Sequence, residues 1–227
     1  MNQLAVIVAT LHWNGWSRCV TSWAENSIGP YTRRVFAGKP ILESYQQGFL
    51  ESREPILGFL HDDLICMEKG WDTRVLAEFE DPSVGLVGFG GAKGHGDPEM
   101  YRKPYELCQI GRRDFISNMK SAEAHGRRFN GECGVAVLDG FALFTRRELL
   151  EKCGGWPLST PVSYFCYDYW ISCIARELDY RIQLVGVECD HLGGKSTGLN
   201  PNLVVDWEGS HRYIYDRFRN VLPCTVP

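Results

Sequence analysis

The sequence has no long hydrophobic run: nowhere do about eighteen uncharged apolar residues follow one another, the length a membrane-spanning helix needs. Its first residues, MNQLAVIVATLHWN, carry no basic segment ahead of the short apolar stretch and so lack the pattern of a secretory signal. The expectation is a cytoplasmic protein with no membrane span. Positive charge is not in excess either, since 24 Lys and Arg stand against 28 Asp and Glu, a formal net charge of −4. Without a cationic excess there is little to hold a phosphate backbone by counterion release, which argues against nucleic acid as a partner. The nine cysteines are odd in number and include no Cys-x-x-Cys pair. Zinc and dithiol redox sites are thereby disfavoured, and reduced, core-filling thiols are expected. No internal repeat and no linker separates two domains.

What is present is enough apolar side chain, 44% of 227 residues, to bury a full-sized core, so one compact α/β domain is expected. Leu4 to Ala9, Ile56 to Leu60 and Val84 to Phe89 are continuous apolar runs bounded by turn residues, the pattern of strands buried on both faces. Between them, Trp16, Val20 and Trp23 share one helical face, Ile41, Tyr45 and Phe49 a second, and Trp71, Val75 and Phe79 a third; Pro40 suits the first position of the second helix. Strands alternating with helices over the first 90 residues predict a parallel sheet, whose ligands gather at the carboxyl ends of its strands.

From Gly90 to Gly134 no period is visible, and long loops over the sheet are expected there. Val135 to Phe144 reads as one strand leading into a capping box, Thr145-Arg146-Arg147-Glu148, and a short helix that ends near Gly154-Gly155. Trp170, Ile174 and Leu178 mark a further helix, Arg181 to Val187 a strand, and Trp207 to Phe218 a closing helix. Gly193 to Gly198, Gly-Gly-Lys-Ser-Thr-Gly, has the flexibility of a lid.

Four segments carry candidate chemistry. In Phe59-Leu60-His61-Asp62-Asp63-Leu64 two acids follow a buried strand, where they must be paired, solvated or metal-bound. Carboxylates are hard donors suited to Mg²⁺ or Mn²⁺, ions that share their shells with substrate phosphates; the alternative is that the pair caps the next segment. In Leu138-Asp139-Gly140-Phe141, Gly140 permits close backbone approach to a ligand and Asp139 can accept from sugar hydroxyls, or else the segment is a bulge whose Asp bonds nearby amides. Asp168 lies among Tyr164, Phe165, Tyr167, Tyr169 and Trp170 at a helix start, as a base poised for a hydroxyl proton or as an ordinary N-cap.

In Cys189-Asp190-His191-Leu192-Gly193-Gly194-Lys195-Ser196, His191 can add a nitrogen ligand, and Lys195 and Ser196 can reach phosphate oxygens. Gly-Gly-Lys-Ser lacks the earlier glycine of a P-loop, and Gly88-Phe89-Gly90-Gly91 lacks dinucleotide spacing. The Arg112-Arg113 and Arg127-Arg128 pairs read as solvated surface rather than as a site for an anionic acceptor.

Taken in order, these segments resemble the family 2 glycosyltransferases of GT-A fold, particularly short bacterial and phage members with a strand-end His-Asp-Asp. The similarity runs from about Leu4 to Ser196. It rests on Pro55 to Asp63, Gly70-Trp71 and Val84 to Gly88, and then on Asp139-Gly140, Arg146 to Glu148, Gly154-Gly155-Trp156 and Tyr167-Asp168.

The resemblance implies a single-domain α/β GT-A fold, a nucleotide-diphospho-sugar transferase with a mostly parallel central sheet flanked by helices. Residues 1–90 would form the nucleotide-binding half, 91–200 the acceptor and catalytic half, and 201–227 the closing helix. It implies Asp63 and His191 as metal ligands for Mn²⁺ or Mg²⁺ and Asp168 as the base. It also places Thr10 and His12 near the nucleotide, with Asp62, Asp139, Gly140, Lys195 and Ser196 completing the donor-binding set. His61 stands where the family has its leading acid, which leaves Asp62 and Asp63 to share that duty. The family's nucleoside-holding Val-Asp-Asp has no counterpart near Arg33 to Ala37, so the base is open, with a UDP-sugar the first candidate.

The expected reaction is sugar transfer with inversion onto an acceptor the sequence does not identify. Two alternatives are carried: a carbohydrate- or nucleotide-binding module without catalysis, and a metal-dependent nucleotidyltransferase or phosphohydrolase.

Overall fold

A computed structural model describes residues 2–10, 16–96, 115–120, 126–162, 165–192 and 207–227. The first half runs β1 (Leu4–Thr10), α1 (Trp16–Asn26), β2 (Thr32–Ala37), α2 (Ile41–Glu51), β3 (Ile56–His61), β4 (Leu64–Cys66), α3 (Trp71–Glu78) and β5 (Val84–Gly88). Short strands follow: β6 (Gly90–Ala92), β7 (Gly94–His95), β8 (Phe115–Ser117), β9 (Arg127–Arg128), β10 (Glu132–Gly134) and β11 (Val137–Leu138). The remainder is β12 (Ala142–Arg146), α4 (Arg147–Cys153), α5 (Tyr167–Glu177), β13 (Arg181–Val185), β14 (Cys189–His191), α6 (Trp207–Arg217) and β15 (Cys224–Thr225).

The central sheet has seven strands in the order β10-β13-β5-β12-β3-β1-β2. β1 pairs in parallel with β2 and β3, and β13 with β5, whereas β12 lies antiparallel between β3 and β5 and β10 is antiparallel to β13. Five strands therefore point one way, and the mostly parallel sheet expected from the apolar runs is present.

The two faces of each strand part into two cores. Ala5, Ile7, Leu57, Phe59, Leu86 and Leu143 pack with Tyr45 and Phe49 of α2, Leu149 and Leu150 of α4, and Trp170 and Ile174 of α5. Their neighbours Leu4, Val6, Val8, Ile56, Leu60, Val87 and Phe144 pack the other way, on Trp23 of α1 and Trp71 and Val75 of α3. Successive side chains of a strand leave on opposite faces, so a run apolar at every position forms the middle of a helix–sheet–helix sandwich. No described helix is long and apolar enough to cross a membrane.

Three local expectations are corrected. Val135 to Phe144 is not one strand: β11 belongs to a small sheet, β11-β6-β8-β9, and β12 to the central one. The chain changes sheets through Asp139–Phe141, where the Phe141 N–H donates to the Asp139 carboxylate at 3.2 Å. Second, the capping box does not form. β12 runs on through Arg146, so the buried Thr145 hydroxyl bonds to the Gly85 carbonyl at 3.1 Å, while Glu148 pairs with Lys152 on the surface. The far end of α4 is as expected, with Gly154 in the left-handed conformation at φ 82° that favours glycine. Third, the described parts of 90–134 hold β6 to β10 instead of plain loops, two- and three-residue strands too short to show a period.

Candidate metal centre and active site

The buried run of β3 ends at His61, whose N–H bonds to the Phe141 carbonyl at 3.0 Å. A turn at Asp62–Asp63 sends the chain back as β4, which pairs antiparallel with β14 so that His191 lies opposite Leu64. The Leu192 N–H closes this end of the ladder on the Asp63 carbonyl at 3.1 Å. Two strand ends far apart in sequence are thus held together by main-chain bonds, and their side chains meet.

His191 Nε2 lies 3.2 Å from Asp63 Oδ1 and 3.3 Å from His61 Nδ1, and His61 Nδ1 lies 4.0 Å from Asp63 Oδ1. The three donor atoms form a compact triangle, the one group among the described residues with metal-ligand geometry. Octahedral ions with bonds of about 2.0–2.1 Å hold adjacent ligands about 3 Å apart, so the two edges at His191 match that spacing and the 4.0 Å edge between His61 and Asp63 must shorten for the three to share one face of a small divalent cation. Two imidazoles and a carboxylate suit a first-row transition ion and leave the opposite face for phosphate or water. The three side chains are 25%, 19% and 20% exposed, partly dried but open on one side.

Protonation favours ligation by His61. Burial, and then the charge of His191, push its pKa down to about 4 against the pull of Asp63, so it is neutral at pH 7. Asp63 is held below the usual carboxylate range: burial opposes ionisation, but the hydrogen bond and charge of His191 outweigh it. His191 moves the other way, because Asp63 outweighs the burial that disfavours its charged form.

Asp168 stands in the first turn of α5, with its carboxylate accepting from its neighbour Tyr169 N at 2.9 Å and from Gly140 N at 3.1 Å. Burial, and next the negative charge of Asp139, raise it to about 7 despite those hydrogen bonds. A carboxyl so placed exchanges a proton near neutrality, as a general base requires. The Gly140 peptide ties this group to the cation triangle. Its N–H serves Asp168, its carbonyl accepts from the Tyr167 hydroxyl at 3.1 Å, and that hydroxyl lies 2.6 Å from His61 Nε2. Phe141, next along, stacks on the His191 ring at 5.3 Å.

Of the residues singled out in the sequence, Asp63 and His191 are brought into contact, and Asp168, Asp139 and Gly140 lie beside them through these bonds. Asp62 is partly exposed and outside the triangle, because His61 and Asp63, two apart, are the pair that face His191. Thr10 ends β1 at the same rim, one position beyond the Ala9–His61 register pair, and is buried, with its carbonyl accepting from Gly38 N at 2.9 Å. A methyl group on Gly140 would lie 2.3 Å from Tyr167 Oη, so a protein side chain fills the space that glycine leaves. His12, Lys195 and Ser196 fall outside the described residues, as does Arg112-Arg113; Arg127 and Arg128 are exposed on β9, Arg128 pairing with Glu188 at 3.1 Å.

Two residues escaped the sequence reading as contributors: His61 as a ligand and Tyr167 as its neighbour. Spacing held a clue to the first, since residues i and i+2 at a strand end can share a side. Nothing in the sequence pointed to the second, because its partner lies 106 positions away.

No protein-family model and no curated protein matches the chain by sequence. Solved structures do match by fold. They include the mannosyltransferase PcManGT from Pyrobaculum calidifontis, in complex with GDP-Man and Mn²⁺, at 14% identity and a TM-score of 0.53 over 85% of this chain and 57% of that one. GalNAc-T7 with UDP, GalNAc and Mn²⁺ matches at 11% identity and a TM-score of 0.57, over 83% of this chain and 43% of that one. A197 from STIV, at 13% identity, has a TM-score of 0.52 over 84% of this chain and 86% of its own. The chain thus spans little more than half of the mannosyltransferase and less than half of GalNAc-T7. In architecture it is a mixed α/β protein of the GT-A fold found in these glycosyltransferases.

Proposed function

We propose that the chain is a metal-dependent glycosyltransferase that moves a sugar from a nucleoside-diphosphate sugar to a hydroxyl acceptor. The observation that carries this reading is the His61–Asp63–His191 triangle at the carboxyl ends of the parallel strands, joined by one peptide to a carboxyl poised near neutrality. Two fold neighbours, the mannosyltransferase and GalNAc-T7, hold Mn²⁺ with GDP-Man or with UDP and GalNAc, which supports a nucleotide-sugar donor here. Membership of family 2 rests on the motif order set out above, and transfer of a hexosyl group is what that resemblance implies.

In this reading residues 1–90 bind the nucleotide, 91–200 supply the acceptor side and the base, and 201–227 close the domain. His61, Asp63 and His191 would hold a divalent cation, which when bound would supply positive charge for the departing diphosphate. Mn²⁺ fits better than Mg²⁺, because two of three donors are imidazole. Asp168 takes the proton of the acceptor hydroxyl as that oxygen attacks the anomeric carbon, a direct displacement with inversion. Thr10, His12, Asp62, Asp139, Gly140, Lys195 and Ser196 remain the donor-side set.

The test is a panel of UDP- and GDP-sugars with Mn²⁺, read by release of nucleoside diphosphate and by thermal shift, since a bound donor raises stability by mass action. Diphosphate release that stops with chelator is the expected result. Cleavage between the phosphates would identify a nucleotidyltransferase or phosphohydrolase, and binding with no release a module without catalysis.

A further inference from the structure

The Tyr167 hydroxyl has one proton, and it lies 3.1 Å from the Gly140 carbonyl and 2.6 Å from His61 Nε2. A carbonyl oxygen only accepts. If the hydroxyl gave its proton to His61, its lone pairs would face that carbonyl at hydrogen-bond distance with no proton between them. Both contacts are attractive in one arrangement only, where the hydroxyl donates to Gly140 and His61 donates Nε2–H to the hydroxyl. That assigns the tautomer of His61 and leaves the Nδ1 lone pair facing His191 Nε2 and Asp63 Oδ1.

The hydroxyl is not free to wander. Tyr167 is 3% exposed, and its ring packs edge-on against Tyr45 at 5.8 Å and Trp156 at 6.1 Å. Gly140 is held from its other side by Asp168, and a side chain at that position would collide with the hydroxyl. Metal-bound imidazoles are commonly fixed in this way through their second nitrogen, and losing the outer partner weakens metal affinity about 10–100-fold.

Building on the metal-centre reading, we infer that Tyr167 is a positioning residue that locks His61 as the Nε2–H tautomer and so makes Nδ1 a cation ligand. The Gly140 carbonyl orients the hydroxyl. The protein thereby recruits an imidazole where a carboxylate would need no such help, since a carboxylate offers lone pairs whichever way it turns.

The experiment compares wild type, Tyr167→Phe and His61→Ala by calorimetric titration with MnCl₂ alone. It adds long-range ¹H–¹⁵N NMR of the His61 ring in the metal-free wild-type protein. We expect wild type to bind Mn²⁺ and to show His61 as the Nε2–H tautomer, His61→Ala to lose the site, and Tyr167→Phe to bind about 10–100-fold more weakly. Tyr167→Phe leaves the Gly140 carbonyl and His61 Nε2–H without that partner, so it should melt below wild type in chelator and should also gain less from added Mn²⁺. Equal Mn²⁺ affinity in wild type and Tyr167→Phe, with His61→Ala defective, overturns the role of Tyr167 and leaves the metal centre standing. An Nδ1–H tautomer in wild type overturns it as well, and needs no variant to fold. Wild type that takes up no Mn²⁺ overturns the metal centre itself, and this proposal with it.

Discussion

Replacing Asp139 by Asn tests the electrostatics of the site most directly, because it removes one negative charge and little else. The Asn oxygen can still accept from Phe141 N, now 3.2 Å from the Asp139 carboxylate, so the turn that carries Gly140 is retained. In wild type, Asp168 is raised from an ordinary 3.8 to about 7 by burial first and by Asp139 second. Its native value therefore lies above its unfolded one. The linked contribution to stability is complete below about pH 4 and is lost as pH rises through about 7.

At about 1.4 kcal/mol per decade, the whole displacement bounds that loss at about 4 kcal/mol. Asp139 is the second cause after burial, so its removal should restore the smaller part of that loss at pH 8 and nearly nothing at pH 4. The assay is urea unfolding of both proteins across that range, and the difference between the curves cancels groups the substitution does not touch. In turnover, the acidic limb of the Asp139→Asn profile should move to lower pH, because the remaining carboxyl ionises more readily. Parallel stability curves over pH 4 to 8 would refute the argument that these two carboxyls share one field.

Other outcomes follow from the same geometry. Asp168→Asn should reduce turnover about 100–10,000-fold while leaving Mn²⁺ affinity within about twofold, as measured by steady-state kinetics and titration calorimetry. Asp63→Ala, or chelator on wild type, should abolish metal-dependent donor binding in a thermal-shift assay, since Asp63 is the triangle's only carboxylate. Phe144→Ala should destabilise the fold by about 3–5 kcal/mol in urea without changing m, because its ring is fully buried between Phe89 and Trp71. Glu148→Ala should leave the melting temperature nearly unchanged, as its pairing with Lys152 and its hydrogen bond with Tyr180 are made at the surface, whereas a working capping box would be lost.

Sequence reading succeeded where one residue's neighbours along the chain decide its surroundings. Ile56 to Leu60 reads as a doubly buried strand because an apolar run of that length, bounded by turn residues, is too short for a buried helix. Trp23, Tyr45 and Trp71 declared their helical faces by spacing alone, and each lies in a core. Local reading failed where two non-local demands compete. Thr145 and Glu148 have capping-box spacing, but β12 claims Thr145 for the sheet, and pairing with β3 and β5 outweighs a cap. The apolar letters of Val135 to Phe144 do not tell that two sheets share them.

By itself, then, the amino-acid order determined the layered α/β architecture, the strand ends on which acids and imidazoles would stand, and three of the groups that meet at one rim of the sheet: Asp63, Asp168 and His191. Only the tertiary structure decided that His61, and not Asp62, completes the triangle, and that Tyr167 and Gly140 connect it to Asp168. The physical reason is range. Burial of an apolar run is a property of consecutive residues, whereas a ligand shell and a hydrogen-bond path are set by ångström-scale distances between strands and turns that meet only when the sheet has formed.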